Sequence, residues 1–304
     1  MYNEEIKMQY LNASSARYNK IIDVVSSYFN LCESMENALD KDISKFTLME
    51  IIDFYKSLYT PSERYIASIN SQLSMYTWWC QAQGMLDDNQ NHFEQINQDI
   101  ILACINKSVF RSQFITEGEL ENILGDPRIQ NISDAFLIAA LFEGICGIEY
   151  VEILNLYPKD IADNKVTLYT GRVLEVSKRF IRLARESAEE YRFFVGDLGD
   201  KEKTFDIDDR RCFKRYRKTA LPEREKFIVI KRLQKLQSVL NCNAMNSKAL
   251  MESGRVAMIH RFMKEDDCDF EVAIHNHRKE IEYRYGAFQS VASYIKKYKE
   301  LLNP

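Results

Sequence analysis

Apolar positions along this chain recur mostly at helical spacing. Over 61–83, Ile66, Ile69, Leu73, Tyr76 and Cys80 fall alternately three and four residues apart, which places them on one helical face. Thr60-Pro61-Ser62-Glu63 supplies a start signal for that helix, with Pro at its first position, and Gly84 a stop. Thr47-Leu48-Met49-Glu50 reads as a capping box ahead of Ile51, Ile52, Phe54, Tyr55 and Leu58. Upstream, Tyr18, Ile21, Ile22, Val25 and Phe29 form another helical face, and a further helix is predicted over 93–105. Residues 1–108 therefore read as a small all-helical domain, with a boundary near 107–115.

The second domain, 109–304, opens with Thr116-Glu117-Gly118-Glu119 capping a short helix that stops at Gly125. Helices are predicted over 177–191, 222–240, 255–264 and 288–302. The last carries the stripe Phe288, Val291, Ile295, Tyr298 and Leu302, so the segment 287–302 is a candidate for self-association or for docking on its own domain. The strand signal is a hairpin, 166–169 with 172–176, turning at Thr170-Gly171. No periodicity holds for long between 196 and 221. The class is mainly α with a small β-hairpin or sheet.

Composition narrows the function classes. With 304 residues, 46% hydrophobic and 28% charged, the chain can fill two cores and matches a soluble globular protein. No run of 18 apolar residues marks a membrane span, and the start, MYNEEIKMQY, is no secretory signal. Seven cysteines without a CxxC pair point to reduced thiols and a cytoplasmic setting. His92, His260, His275 and His277 lack metal spacing, and neither GxxxxGK nor GxGxxG occurs, so no metal and no cofactor is expected.

The net charge of −4 requires that any DNA-binding surface be a local concentration of cations. One such run is Lys201, Lys203, Arg210, Arg211, Lys214, Arg215, Arg217 and Lys218, with Phe213 and Tyr216 interleaved. Cations bind phosphates and the aromatics can pack on sugars or bases; the plainer reading is a solvated loop balancing Asp206, Asp208 and Asp209. Lys178, Arg182 and Arg185 share a helical face after the hairpin, near Arg179, and Arg64, Ser68 and Ser71 line the polar side of the 61–83 helix. For both, an ordinary polar face is the competing reading.

Residues 139–173 read AALFEGICGIEYVEILNLYPKDIADNKVTLYTGRV. An apolar helix ends at Gly147, a short helix carries Glu152, Ile153, Leu154 and Leu156, and Asp160-Ile161 precedes the hairpin. This order resembles the tyrosine recombinase (phage integrase) family, in which an apolar helix leads to Gly-Leu-Arg, a Glu-Leu-x-x-Leu helix and Asp-Ile before a hairpin. The resemblance implies a two-domain fold: residues 40–107 as part of a helical core-binding domain on one side of double-stranded DNA, residues 112–304 as the catalytic-like domain. It implies DNA contacts from Arg64, Ser68, Arg172, Lys178, Arg182, Arg255 and the 210–218 cations.

It also implies that catalysis is lost. In the family the Arg of Gly-Leu-Arg holds the scissile phosphate, because an anionic transition state must meet fixed positive charge; here Gly147-Ile148-Glu149 puts a carboxylate there. The family's His-x-x-Arg box belongs in 240–254, which reads LNCNAMNSKALMESG and holds neither residue. His275–Arg278 lies too near the C-terminus to fit that order. Neither Lys165 nor Lys178 matches the hairpin lysine, and Tyr283, Tyr285, Tyr294 and Tyr298 are each nucleophile-like only by position. The expectation is a non-enzymatic, sequence-specific DNA-binding protein for transcriptional control, of the kind seen in integrase-like lysogeny repressors of SPβ-type temperate phages. The alternatives are a divergent recombinase and a helical protein-interaction module that never meets DNA.

Overall fold

Thr47 accepts a hydrogen bond from the Glu50 N–H while the Glu50 carboxylate accepts from the Thr47 N–H at 2.7 Å, so the predicted capping box starts its helix. In this computed structural model, which describes residues 1–15, 22–86, 90–195, 201–205, 208–214 and 224–302, the chain divides into two units. The first is Met1–Arg111 together with the chain from Lys297 onward, and the second is Ser112–Lys296. The division thus falls three residues after 108, and the chain's end joins the first unit rather than the second. The expectations for Tyr18, Ile21, Tyr216, Arg215, Arg217 and Lys218 lie outside the described residues.

The first unit contains α1 (Glu4–Ser15), α2 (Ile22–Leu39), α3 (Leu48–Ser57), α4 (Glu63–Ala82), α5 (Gln98–Cys104) and α6 (Lys107–Arg111). The predicted stripe of α4, from Ile66 to Cys80, is buried. Its cap is Ser62, which accepts from the Tyr65 N–H at 3.2 Å, and not Thr60, whose hydroxyl accepts from the Ser62 N–H instead. The helix predicted over 93–105 breaks at Ile96, because Asn97 caps α5 afresh. Helix α1, unseen in the sequence pattern, is held by Lys7, buried with Glu36 at 2.5 Å and lying over the Phe29 ring.

The second unit is built around α8 (Ile132–Phe142), in which every residue from Ser133 to Phe142 is buried. The helix ends five residues before Gly147, and the turns that follow use Gly144 at φ +78° and Gly147 at φ +69°. Preceding it is α7 (Glu117–Leu124), started by the Thr116–Glu119 capping box. After it come α9 (Val151–Leu154) and an antiparallel sheet of β1 (Ile161–Ala162), β2 (Lys165–Thr167) and β3 (Val173–Glu175), ordered as in sequence. The β2–β3 hairpin turns through Thr170-Gly171, with Gly171 at φ +84°.

Helix α10 (Lys178–Glu189) packs on α8. A second ribbon, β4 (Arg192–Val195) with β5 (Lys201–Thr204), stands where no periodicity was visible. Then follow α11 (Lys226–Leu240), α12 (Ser247–Glu265), α13 (Phe270–Tyr285) and α14 (Val291–Leu302). Helix α12 begins eight residues before the predicted 255, and α13 was not predicted at all. Gly254 lets α12 meet α8 closely: a Cβ there would lie 1.8 Å from the Phe142 carbonyl oxygen. No helix is long and apolar enough to cross a membrane, among the described residues.

Candidate nucleic-acid interface

The turn between α8 and α9 sets the geometry around Glu149. Gly147, Glu149 and Tyr150 all adopt positive φ, at 69°, 54° and 65°. Left-handed backbone is costly for non-glycine residues, so this turn is held from outside. The Tyr150 hydroxyl lies 3.1 Å from Ser247 Oγ at the start of α12, and the Glu152 carboxylate accepts from the Cys146 N–H at 3.0 Å. The Glu149 side chain is 57% exposed and forms an ion pair with Lys226, the first residue of α11. Lys226 is therefore the partner that neutralises Glu149.

Glu152 is fully buried one turn further on. Its Oε1 accepts from Thr170 Oγ1 at 2.5 Å and Arg172 Nε at 2.9 Å, and its Oε2 from Arg172 Nη2 at 2.6 Å. Burial alone would raise the pKa of this carboxyl; the bonds from Arg172, Thr170 and the Cys146 N–H outweigh it and hold it below its ordinary value. Arg172 donates further to the carbonyls of Tyr283 (2.8 Å), Arg284 (2.9 Å) and Gly144 (3.0 Å). It ties the hairpin to the α8–α9 turn and to the end of α13.

Arg255 acts on the same helix end. Its Nη2 donates to the Tyr285 and Gly286 carbonyls at 2.5 and 3.1 Å, its Nη1 lies 3.1 Å from Glu252, and its guanidinium stands 4.9 Å from the Phe288 ring centre. Arg172 and Arg255 together cap four successive carbonyls, 283–286, at a helix terminus whose carbonyls have no partner within the helix. Arg211 is also buried, bonded to Asp209 and to the Leu154 carbonyl at 3.4 Å. Lys214 is buried and donates to the Glu190 carbonyl at 2.7 Å; burial, first, and the neighbouring Arg210 lower its pKa. Of the expected DNA contacts, Arg211, Lys214 and Arg255 are thus buried and Arg172 is half-buried, each bonded within the protein.

The remaining described positions face outward. Lys178 and Arg182 line one shallow depression on α10, with Arg185, Asp163 and Glu186; Arg182 pairs with Glu186 at 3.1 Å. Arg210 is exposed, as are Lys201 and Lys203 on β5. In the first unit Arg64 is exposed on α4, and Ser68, also exposed, lies 3.0 Å from the Tyr28 hydroxyl. Sequence reasoning missed Lys226; its position just after the basic tract was the available signal.

Each nucleophile-like tyrosine has an internal partner. Tyr285 is buried and donates to the Phe142 carbonyl at 2.9 Å, and burial raises its pKa. Tyr283 accepts from the Val173 N–H at 3.0 Å, Tyr294 donates to Glu252 at 3.4 Å, and Tyr298 packs on Phe110. His277 stacks on Phe262 and lies 2.7 Å from Asp266. Among the described residues no cluster of His, Cys, Asp or Glu could hold a metal ion.

Comparison with known proteins bears on both halves of the chain. Residues 1–82 match the family model "MrpR, N-terminal core-binding domain", and residues 114–303 match "MrpR, C-terminal catalytic domain". The chain is 23% identical over 313 residues to the SPbeta prophage-derived uncharacterized protein YopR of Bacillus subtilis (strain 168), with 97% of this chain and 94% of that protein covered. The protein is thus a member of the MrpR family, phage integrase-like proteins that join a core-binding domain to a tyrosine-recombinase-like catalytic domain.

Proposed function

We propose that this protein binds specific sites on double-stranded DNA without cutting them, as a repressor that maintains a prophage in a bacterial cytoplasm. The observation that carries the reading is Glu149. A half-exposed carboxylate stands at the turn where the family resemblance calls for a phosphate-holding arginine. Like charges about 4 Å apart repel by roughly 4 kcal/mol at an effective dielectric near 20, so this group opposes an anionic transition state. The internal commitments of Arg172, Arg211 and Arg255 point the same way, since none is placed to replace it. Exposed Arg64, Lys178, Arg182, Arg185 and Arg210 supply cations for phosphates on the two units. The phage setting rests on likeness to YopR, which is described as prophage-derived.

The test is selection of bound fragments from genomic DNA, followed by incubation of the recovered site as a nicked suicide substrate. The expected result is a specific site and no covalent protein–DNA adduct on denaturing gels, for wild type and for Glu149→Arg alone. Failure to recover any site refutes DNA binding. An adduct favours the second reading, a divergent recombinase, for which the observation is the match to a domain described as catalytic.

A further inference from the structure

We propose that Lys226 is a phosphate-binding residue of the DNA interface, and that in the DNA-free protein the Glu149 carboxylate occupies the place of that phosphate on its ammonium group. The inference rests on the DNA-binding reading and adds to it a named contact and a competing internal anion.

Three observations carry it. The pair is reachable: Glu149 is 57% exposed and Lys226 31%, whereas Arg232–Asp134 and Arg211–Asp209 are buried and serve the core. The carboxylate is presented from a fixed turn, because its own residue and Tyr150 are held at positive φ and Tyr150 is tethered to Ser247. The lysine, in contrast, sits at the start of α11 beside exposed Arg224, at a helix end whose dipole also favours an anion.

The chemistry permits an exchange. A lysine ammonium has three donors and no acceptor, and it bonds carboxylate and phosphate oxygens alike. An exposed carboxylate–lysine pair is weakly held, while a duplex presents a dense row of phosphates and releases counterions on contact. DNA would take Lys226 from Glu149 without any rearrangement of the backbone. Glu149 then lowers affinity for every duplex by a constant factor.

The experiment uses the full chain and a fluorescein-labelled random-sequence duplex, read by anisotropy across a salt series. The proteins are wild type, Glu149→Gln, Lys226→Gln and the double variant, each checked by thermal melting. Glu149→Asn, suited to left-handed backbone, repeats the test should Gln disturb the turn. Glu149→Gln should tighten binding about threefold, the worth of releasing one exposed ion pair. Lys226→Gln should weaken binding and flatten the slope of log K against log salt by about 0.9, one phosphate contact. In the Lys226→Gln background, Glu149→Gln should tighten binding by less than in the wild type, because no cation is left to unmask. An equal gain in both backgrounds means general repulsion and overturns the masking; an unchanged slope in Lys226→Gln overturns the phosphate contact. Absence of duplex binding by all four proteins at low salt refutes the DNA reading itself.

Discussion

Replacing Arg172 by Ala tests whether this cation holds the fold. The side chain is 23% exposed and its partner Glu152 is fully buried, so the substitution leaves a carboxylate in the interior with only Thr170 and the Cys146 N–H. It also orphans the Tyr283, Arg284 and Gly144 carbonyls. Breaking a buried pair by removing one partner costs about 3–5 kcal/mol. For a unit of this size that lowers the melting temperature by roughly 10 °C. The pH dependence has a definite sign. In the wild type Glu152 titrates below its ordinary value, so its contribution is present above that value and fades as pH falls through the lower one. In Arg172→Ala burial dominates and Glu152 binds a proton more readily, so the variant recovers as pH falls toward the carboxylate range. Scanning calorimetry at neutral and mildly acidic pH should show a wide gap that narrows. A neutral-pH loss under about 2 °C, or a gap indifferent to pH, would refute the assignment of Arg172 as the tie between hairpin, turn and helix end.

Three further outcomes follow from the same geometry. Lys178→Ala, Arg182→Ala and Arg210→Ala together should weaken duplex binding and flatten its salt slope by about 0.9 for each phosphate no longer neutralised, with melting unchanged, as filter binding across salt would show. Truncation after Gly286 removes buried Phe288, Ile295 and Tyr298, each worth about 1.5–3 kcal/mol of burial, and takes an aromatic partner from Arg255. Melting should fall steeply while the number of chains per assembly stays the same; an assembly that dissociates instead would favour exchange of this segment between copies. Gly254→Ala should lower the melting temperature by several degrees, because its Cβ meets a backbone carbonyl that cannot rotate away; unchanged melting would show that α8 and α12 separate easily.

The sequence was most legible where local chemistry decides. Thr47 and Thr116 cap as read, because each capping box is closed by a Glu three residues on. It was least legible where partners are distant. Helix α13 buries only Ala273, Ile274, Ile281 and Tyr285 among sixteen residues, too sparse for a stripe. Ribbon β4–β5 pairs an exposed Lys-Glu-Lys-Thr strand with Arg192–Val195, and only the pairing makes it a strand. Two arginines carried readable warnings. Arg211 follows Asp209, whose carboxylate also accepts the Arg211 N–H, and Arg255 follows a mid-helix glycine that marks close packing. Nothing adjacent distinguishes Arg172, since its partners lie 20, 28 and more than 100 residues away.

On the proposed reading, in which the protein binds DNA without cutting it, the destinations of these arginines bear on what strand cleavage would require. A guanidinium at 149 would face the Lys226 ammonium in place of the carboxylate that now neutralises it, so Glu149→Arg exchanges an attraction for a repulsion at the turn. Arg172 and Arg255 could not be drawn toward a phosphate without uncovering the α13 carbonyls they cap. Tyr285 could not reach one without leaving the Phe142 carbonyl and the close packing at Gly254. Catalytic groups act as a unit, and a single restored member recovers little of the whole. On the proposed non-cutting reading this has a physical reason: Arg172, Arg255 and Tyr285 are bonded within the second unit, so drawing any of them toward a phosphate would cost fold stability, whereas exposed Lys178, Arg182 and Arg210 would meet a phosphate without that cost.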